Sequence, residues 1–104
     1  MRDKNAEIVR EVVIAEVRTW ASRIGVEDRL KEIRIRPMKR KWASVSTRGN
    51  LTLNSEILKK PASFRHKVIV HELVHLKLQH GRHNKLFKLL VKAYLQKYEI
   101  PYED

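Results

Sequence analysis

Cysteine is absent from these 104 residues. With it go disulfides, thiolate metal sites and a cysteine nucleophile, so any metal must be held by His, Asp or Glu. Long apolar runs are missing too. The longest, such as residues 12–15, reach four residues against the ~20 that span a bilayer, and residues 1–4 open no hydrophobic signal core. A cytoplasmic protein with no membrane span is expected. Only two Met and two Gln accompany a charged content of 34%, a bias also found in proteins from hot environments. Acids are scarce in the middle of the chain. Residues 1–32 hold seven acids and seven bases, residues 33–98 hold 16 Lys or Arg against Glu56 and Glu72 alone, and residues 99–104 carry a net −3.

An acidic tail thus follows a basic body. Such a surface suits nucleic acid or an anionic membrane, but a solvated lysine-rich face has the same composition, so charge by itself assigns no function. The 42% hydrophobic content suffices for one core, and the length predicts one domain over residues 1–104.

The hydrophobic period changes along the chain. Val9, Val13, Val17, Trp20 and Ile24 form the stripe of an amphipathic helix, which Asp3 can cap and Gly25 can end. Ile33 and Ile35 then alternate with Arg34 and Arg36 before Pro37, the pattern of a strand. Residues 42–47 and 50–53 flank Arg48-Gly49 as a hairpin. Pro61-Ala62-Ser63 opens a second helix running to Gly81, and a third covers residues 84–98, with Pro101 keeping the remainder extended. The expected class is α+β: an N-terminal helix, a small three-stranded sheet with a hairpin, a helix bearing the chemistry and a C-terminal helix.

The chemistry concentrates at His71-Glu72-Leu73-Val74-His75. Histidines at i and i+4 share one helix face, so both imidazoles can bind one zinc ion while the glutamate reaches its water. Apolar residues 68–70 lead in, and Leu73, Val74 and Leu76 continue, which predicts a buried helix. Buried polar groups need partners, and a metal supplies one.

Two histidines do not complete a site. A third ligand must come from His66, His80, His83 or an acid. His66 stands about 140° around the helix from His71, and His80 the same angle from His75 and about 7.5 Å further along, so neither fits a continuing helix. Gly81 can turn the chain back in a left-handed conformation, bringing His83 to the metal from the mouth of the last helix. His80 serves instead if the helix ends early, and His66 is expected at the surface.

The stretch from residue 38 to residue 95 resembles the minigluzincins, minimal zinc metallopeptidases similar to catalytic domains of certain membrane-embedded metallopeptidases. The matching residues are Met38-Lys39, Trp42 and Ser44, Leu53-Asn54, His71-Glu72-Leu73 with His75-Leu76, and His83 followed by Lys85-Leu86-Phe87. Ala43 stands where larger relatives often carry glycine. The resemblance implies that the third ligand is histidine and places it at His83.

It also implies peptide-bond hydrolysis, with peptides or unfolded proteins as substrates. Three neutral imidazoles leave zinc an open fourth position, where a bound water's pKa falls from about 15.7 to about 7 and Glu72 can take its proton. The other ring proton of each imidazole needs an acceptor. Besides Glu72 only Glu56 is acidic between residues 33 and 98, so backbone carbonyls or an acid of the first helix must serve. Asn54 either orients the site or simply ends a strand. Tyr94 reads as core, and substrate is expected to lie along a sheet edge.

Two rival classes stand beside this reading. Lys39-Arg40-Lys41-Trp42 mixes bases with an aromatic ring, as nucleic-acid stacking platforms do, and an intact zinc domain can act as a scaffold without cleaving anything. Finally, residues 99–104 set acids beside a basic body. Electrostatics draws this tail inward, and a carboxylate of Glu103, Asp104 or the terminus, with Tyr102 for apolar grip, can replace the water. The resemblance implies the same latency, because minigluzincin zymogens are held inactive by their C-terminal segments.

Overall fold

The computed structural model describes residues 4–101. Asp3, the expected helix cap, and Tyr102, Glu103 and Asp104 of the tail lie outside the described residues. The elements are α1 (Lys4–Ile24), β1 (Glu32–Arg36), β2 (Ala43–Val45), β3 (Asn50–Asn54), α2 (Ala62–Leu78) and α3 (Lys85–Lys97), with a 3-10 helix, Ser55–Lys59, after β3. This is the α+β arrangement that the periodicities predict. No described helix is long and apolar enough to cross a membrane.

The stripe of α1 does what its spacing requires. Val13, Val17, Trp20 and Ile24 are buried and Val9 packs against them. Gly25 ends the helix at φ +82°, a conformation that costs glycine little, and the amide of Val26 reaches back to the Ala21 carbonyl at 2.8 Å. The ends of α1 and α2 then cap each other. Lys77 Nζ of α2 donates to the Ile24 carbonyl at 2.9 Å, and the Arg29 guanidinium donates to the Lys77 carbonyl at 2.9 Å. Cations on helix C-terminal carbonyls are favourable, so the two helices are tied where the chain leaves each of them.

The sheet has the order β1-β3-β2, with β1 parallel and β2 antiparallel to β3. Leu51 and Leu53, alternate residues of β3, are fully buried. The hairpin differs from the expected two-residue turn. Ser46 pairs with Asn50, and the amide of Gly49 donates to the Ser46 carbonyl at 3.0 Å, giving a loop of three residues closed by Gly49 at φ +96°. A Cβ on Gly49 would stand 1.8 Å from the Arg29 carbonyl oxygen. Crowding as well as dihedral angle selects glycine.

His66 is not at the surface as expected. Its Nδ1 accepts the Trp20 indole N–H at 2.7 Å, and its Nε2 lies 3.5 Å from Glu16, whose carboxylate also takes both arms of the Arg65 fork at 2.9 and 3.0 Å. This half-buried network joins α1 to the start of α2. Tyr98 closes over Trp20 edge to face at 5.3 Å, with the Arg23 guanidinium above the Tyr98 ring at 4.1 Å. Tyr94 packs against the core, in line with the sequence reading.

Candidate active site

The site is built on α2 and on the chain reversal after it. His71 and His75 occupy successive turns of α2. The reversal comes earlier than expected and without glycine: Gln79, not Gly81, takes the left-handed conformation at φ 59° and ψ 32°. A left-handed non-glycine residue is costly. Gln79 is held there because its amide donates to the His75 carbonyl at 2.8 Å and its side chain donates to the Leu76 carbonyl at 2.7 Å. Asn84 then caps α3, its side-chain oxygen accepting the Phe87 amide at 3.0 Å, which sets His83 just ahead of the helix.

The outcome is convergence. The Nε2 atoms of His71, His75 and His83 lie 3.1, 3.2 and 3.1 Å apart. Three nitrogens bound to one tetrahedral zinc at its usual bond length stand about 3.3 Å from one another, so the residues fit such an ion. The proton states agree. Burial, then the neighbouring charges of His75 and His83, pushes His71 down to about 4, and burial also lowers His75. His75 Nδ1 lies 3.0 Å from the His80 carbonyl oxygen, the geometry of an N–H donor, which leaves Nε2 with a free lone pair. A backbone carbonyl thus holds the ring proton of one imidazole of the cluster. The His80 ring stays outside the cluster and accepts the Arg82 amide at 3.0 Å.

Phe87 is the residue that sequence reading left without a role. Its ring stacks on His75 at 4.2 Å and meets His71 and His83 edge-on at 4.9 and 5.0 Å. All three imidazoles thus rest on one buried phenyl ring. The signal was present in the His-x-x-x-Phe spacing, which puts position 87 in the first turn of α3, four residues past His83.

Glu72 stands beside this cluster and not within it. Its carboxylate is 3.9 Å from His71 Nε2, and its side chain is 13% exposed. Burial pushes its carboxyl from the ordinary 4.5 up to about 7, with the Lys41 ammonium acting in the opposite direction. A group poised there exchanges protons readily at neutral pH. A cleft of about 290 Å³ holds His71, Glu72, His75 and His83 against the edge strand β2. Asn54, 93% buried by its 7% exposure, fixes the approach to that strand: its side chain donates to the carbonyls of Met38 and Lys41 at 3.0 and 2.9 Å and accepts the Glu56 amide at 3.1 Å. Orienting and strand-ending roles coincide. Trp42 packs edge to face on Phe64 at 4.9 Å under the Lys60 ammonium.

An HExxH helix, a third histidine delivered by a reversal, and a cleft against a free sheet edge define a metallopeptidase. The chain belongs to the family described as YgjP-like, metallopeptidase domain, which it matches over residues 1–102. Among curated proteins there is no match. The crystal structure of the metallopeptidase zymogen of Methanocaldococcus jannaschii jannalysin is similar with a TM-score of 0.72 at 28% identity, over 84% of this chain and 85% of that one. That of the zymogen of Pyrococcus abyssi abylysin gives 0.68 at 24% identity, over 88% and 99%, a likeness of fold. These matches agree with the minigluzincin resemblance.

Proposed function

We propose that this metallopeptidase holds one zinc ion through His71, His75 and His83 and hydrolyses peptide bonds with Glu72 as base and then acid. The observation that carries this reading is the convergence of three Nε2 atoms at 3.1–3.2 Å beside a buried carboxyl. When bound, zinc supplies Lewis acidity, lowering the pKa of a water and polarising the scissile carbonyl. Glu72 takes the proton of the attacking water as its oxygen adds to the carbonyl carbon. It keeps that proton on a carboxyl whose pKa near 7 suits both tasks, then gives it to the nitrogen as the C–N bond breaks. Of the two sheet edges, β2 lines the cleft, so substrate backbone pairs with Ala43–Val45 as an added strand. His80 acts through its carbonyl by holding His75 in the ligating tautomer.

The reading extends to latency. Tyr98 and Ile100 pack against the core, and a carboxylate from the acidic end that follows them would take the water's place at the metal and leave the enzyme latent. Jannalysin and abylysin were both crystallised as zymogens, which supports this step by analogy. The test combines metal analysis with hydrolysis of an unfolded protein. Zinc should be present at one per chain, activity should vanish with a chelator and return with zinc, and removal of residues 102–104 should raise the rate. Full activity after complete metal removal would end the zinc reading. Equal rates with and without residues 102–104 would end latency alone.

A further inference from the structure

His71 is the common wall of three hollows. One is the cleft already described. A second, of about 390 Å³, opens where α2 faces the approach to β2, with Lys41, Trp42, Lys67 and Val68 among its lining. A third, of about 320 Å³, lies in the groove between α2 and α3 and is lined by buried Phe87, Val91 and Leu95 together with Lys67 and Lys88. Lys67 stands exactly one i to i+4 step before His71 on the same helix face, and it belongs to both flanking hollows.

Among the described residues, Lys67 and Lys88 make no ion pair with a carboxylate and Lys41 acts on Glu72 only from beyond ion-pair distance, whereas Arg34, Lys59 and Arg65 each make one. Glu72 is the one acid in these two hollows, and the reaction needs it. Ammonium groups set beside these histidines would repel a dication held there, a cost with no structural return within the chain. It is offset when something anionic and partly apolar lies across them.

Resting on the peptidase reading, we propose that the hollows flanking the site select substrates with Asp or Glu next to the scissile bond, and that Lys67 is the specificity-determining residue. The apolar linings of Val68 on one side and Phe87, Val91 and Leu95 on the other take the methylenes of such a side chain. The ammonium of Lys67, which lines both hollows, takes its carboxylate in a charge-assisted hydrogen bond. Lysine suits this task because its mobile point charge serves either hollow.

The experiment reads cleavage sites in a mixed peptide library by mass spectrometry, using the full chain, and then compares matched peptides carrying Glu, Gln or Lys beside the preferred bond. The wild type should favour the Glu peptide over the Gln peptide by roughly tenfold in kcat/KM at low salt, a preference that shrinks as salt is added. Lys67→Arg should keep the preference, Lys67→Met should bring it close to one, and Lys67→Glu should turn it toward the Lys peptide. Cleavage without acidic preference, or a preference indifferent to Lys67→Met and Lys67→Glu, overturns the proposal and leaves the peptidase reading intact. Binding of the same labelled peptides to the Glu72→Gln protein gives a second readout. Tighter binding of the Glu peptide that is lost in Glu72→Gln/Lys67→Met supports the selection even if no peptide is cut, a result that would count against the peptidase reading alone. Equal binding of Glu and Gln peptides overturns it.

Discussion

His75 gives its Nδ1 proton to the backbone oxygen of His80, 3.0 Å away. A residue weighed as a rival ligand therefore serves the site through an atom that every amino acid possesses. His80→Ala keeps that carbonyl and should leave zinc affinity nearly unchanged. His83→Ala removes one of three converging nitrogens and should lower affinity by at least a hundredfold, with a matching fall in the melting temperature of the zinc-loaded protein. Competition against a chromogenic chelator measures both. The opposite order would transfer the third ligand to His80.

Glu72 lies outside the nitrogen cluster, so Glu72→Gln separates binding from chemistry. Zinc stoichiometry should stay at one per chain, while kcat falls by about 10² to 10⁴. Loss of zinc together with activity would make Glu72 a ligand.

Protons report on the same carboxyl in the metal-free protein. With its pKa raised to about 7, folded Glu72 binds more protons than the unfolded chain between pH 4.5 and 7, so stability that it contributes at low pH is lost as pH rises through that window. His71, lowered to about 4, works the other way: its contribution is lost as pH falls from 6.5 toward 4. The two offset each other in the wild type. Glu72→Gln removes the carboxyl's part and leaves that of the histidines, so the variant's stability advantage should grow from about pH 4.5 to about pH 7 and then level off. The shift bounds the gain at about 3 kcal/mol. Urea titrations at about pH 5 and pH 8 test this, and an advantage that does not widen contradicts it.

Gly49→Ala should be severe. It combines φ +96° with a Cβ 1.8 Å from the Arg29 oxygen, a backbone contact that cannot swing aside. A loss of about 3 kcal/mol or more is expected, and the displaced hairpin should carry β2 away from the cleft, raising KM. A change in melting temperature of under about 2 °C would show that the loop relaxes freely.

Local patterns account for what the sequence made legible. The steps from Val9 to Ile24 describe one helix face, and the i, i+4 pair His71 and His75 needs nothing beyond helical geometry. Position 83 can meet that pair only if the chain reverses after α2, and it does so, bringing His83 to the other two histidines. The residue that turns the chain was misjudged. Gly81 carries the usual signal, but Gln79 is stabilised by bonds to His75 and Leu76 that exist only once the helix has formed. His66 was misplaced for a similar reason: its partners Trp20 and Glu16 lie 46 and 50 positions earlier in the chain, beyond any local pattern. The parallel pairing of β1 with β3 also depends on such distant contacts.

The chain has no cysteine, yet His71 and His83 meet at 3.1 Å across twelve positions. A metal held between them would act as a removable staple, closing a ring that contains the end of α2 and the Gln79 reversal. Because the three nitrogens converge only in the folded chain, such a metal would add its binding free energy to the stability of that chain. Metal supply would then govern how long this protein survives in its cell as well as whether it cuts.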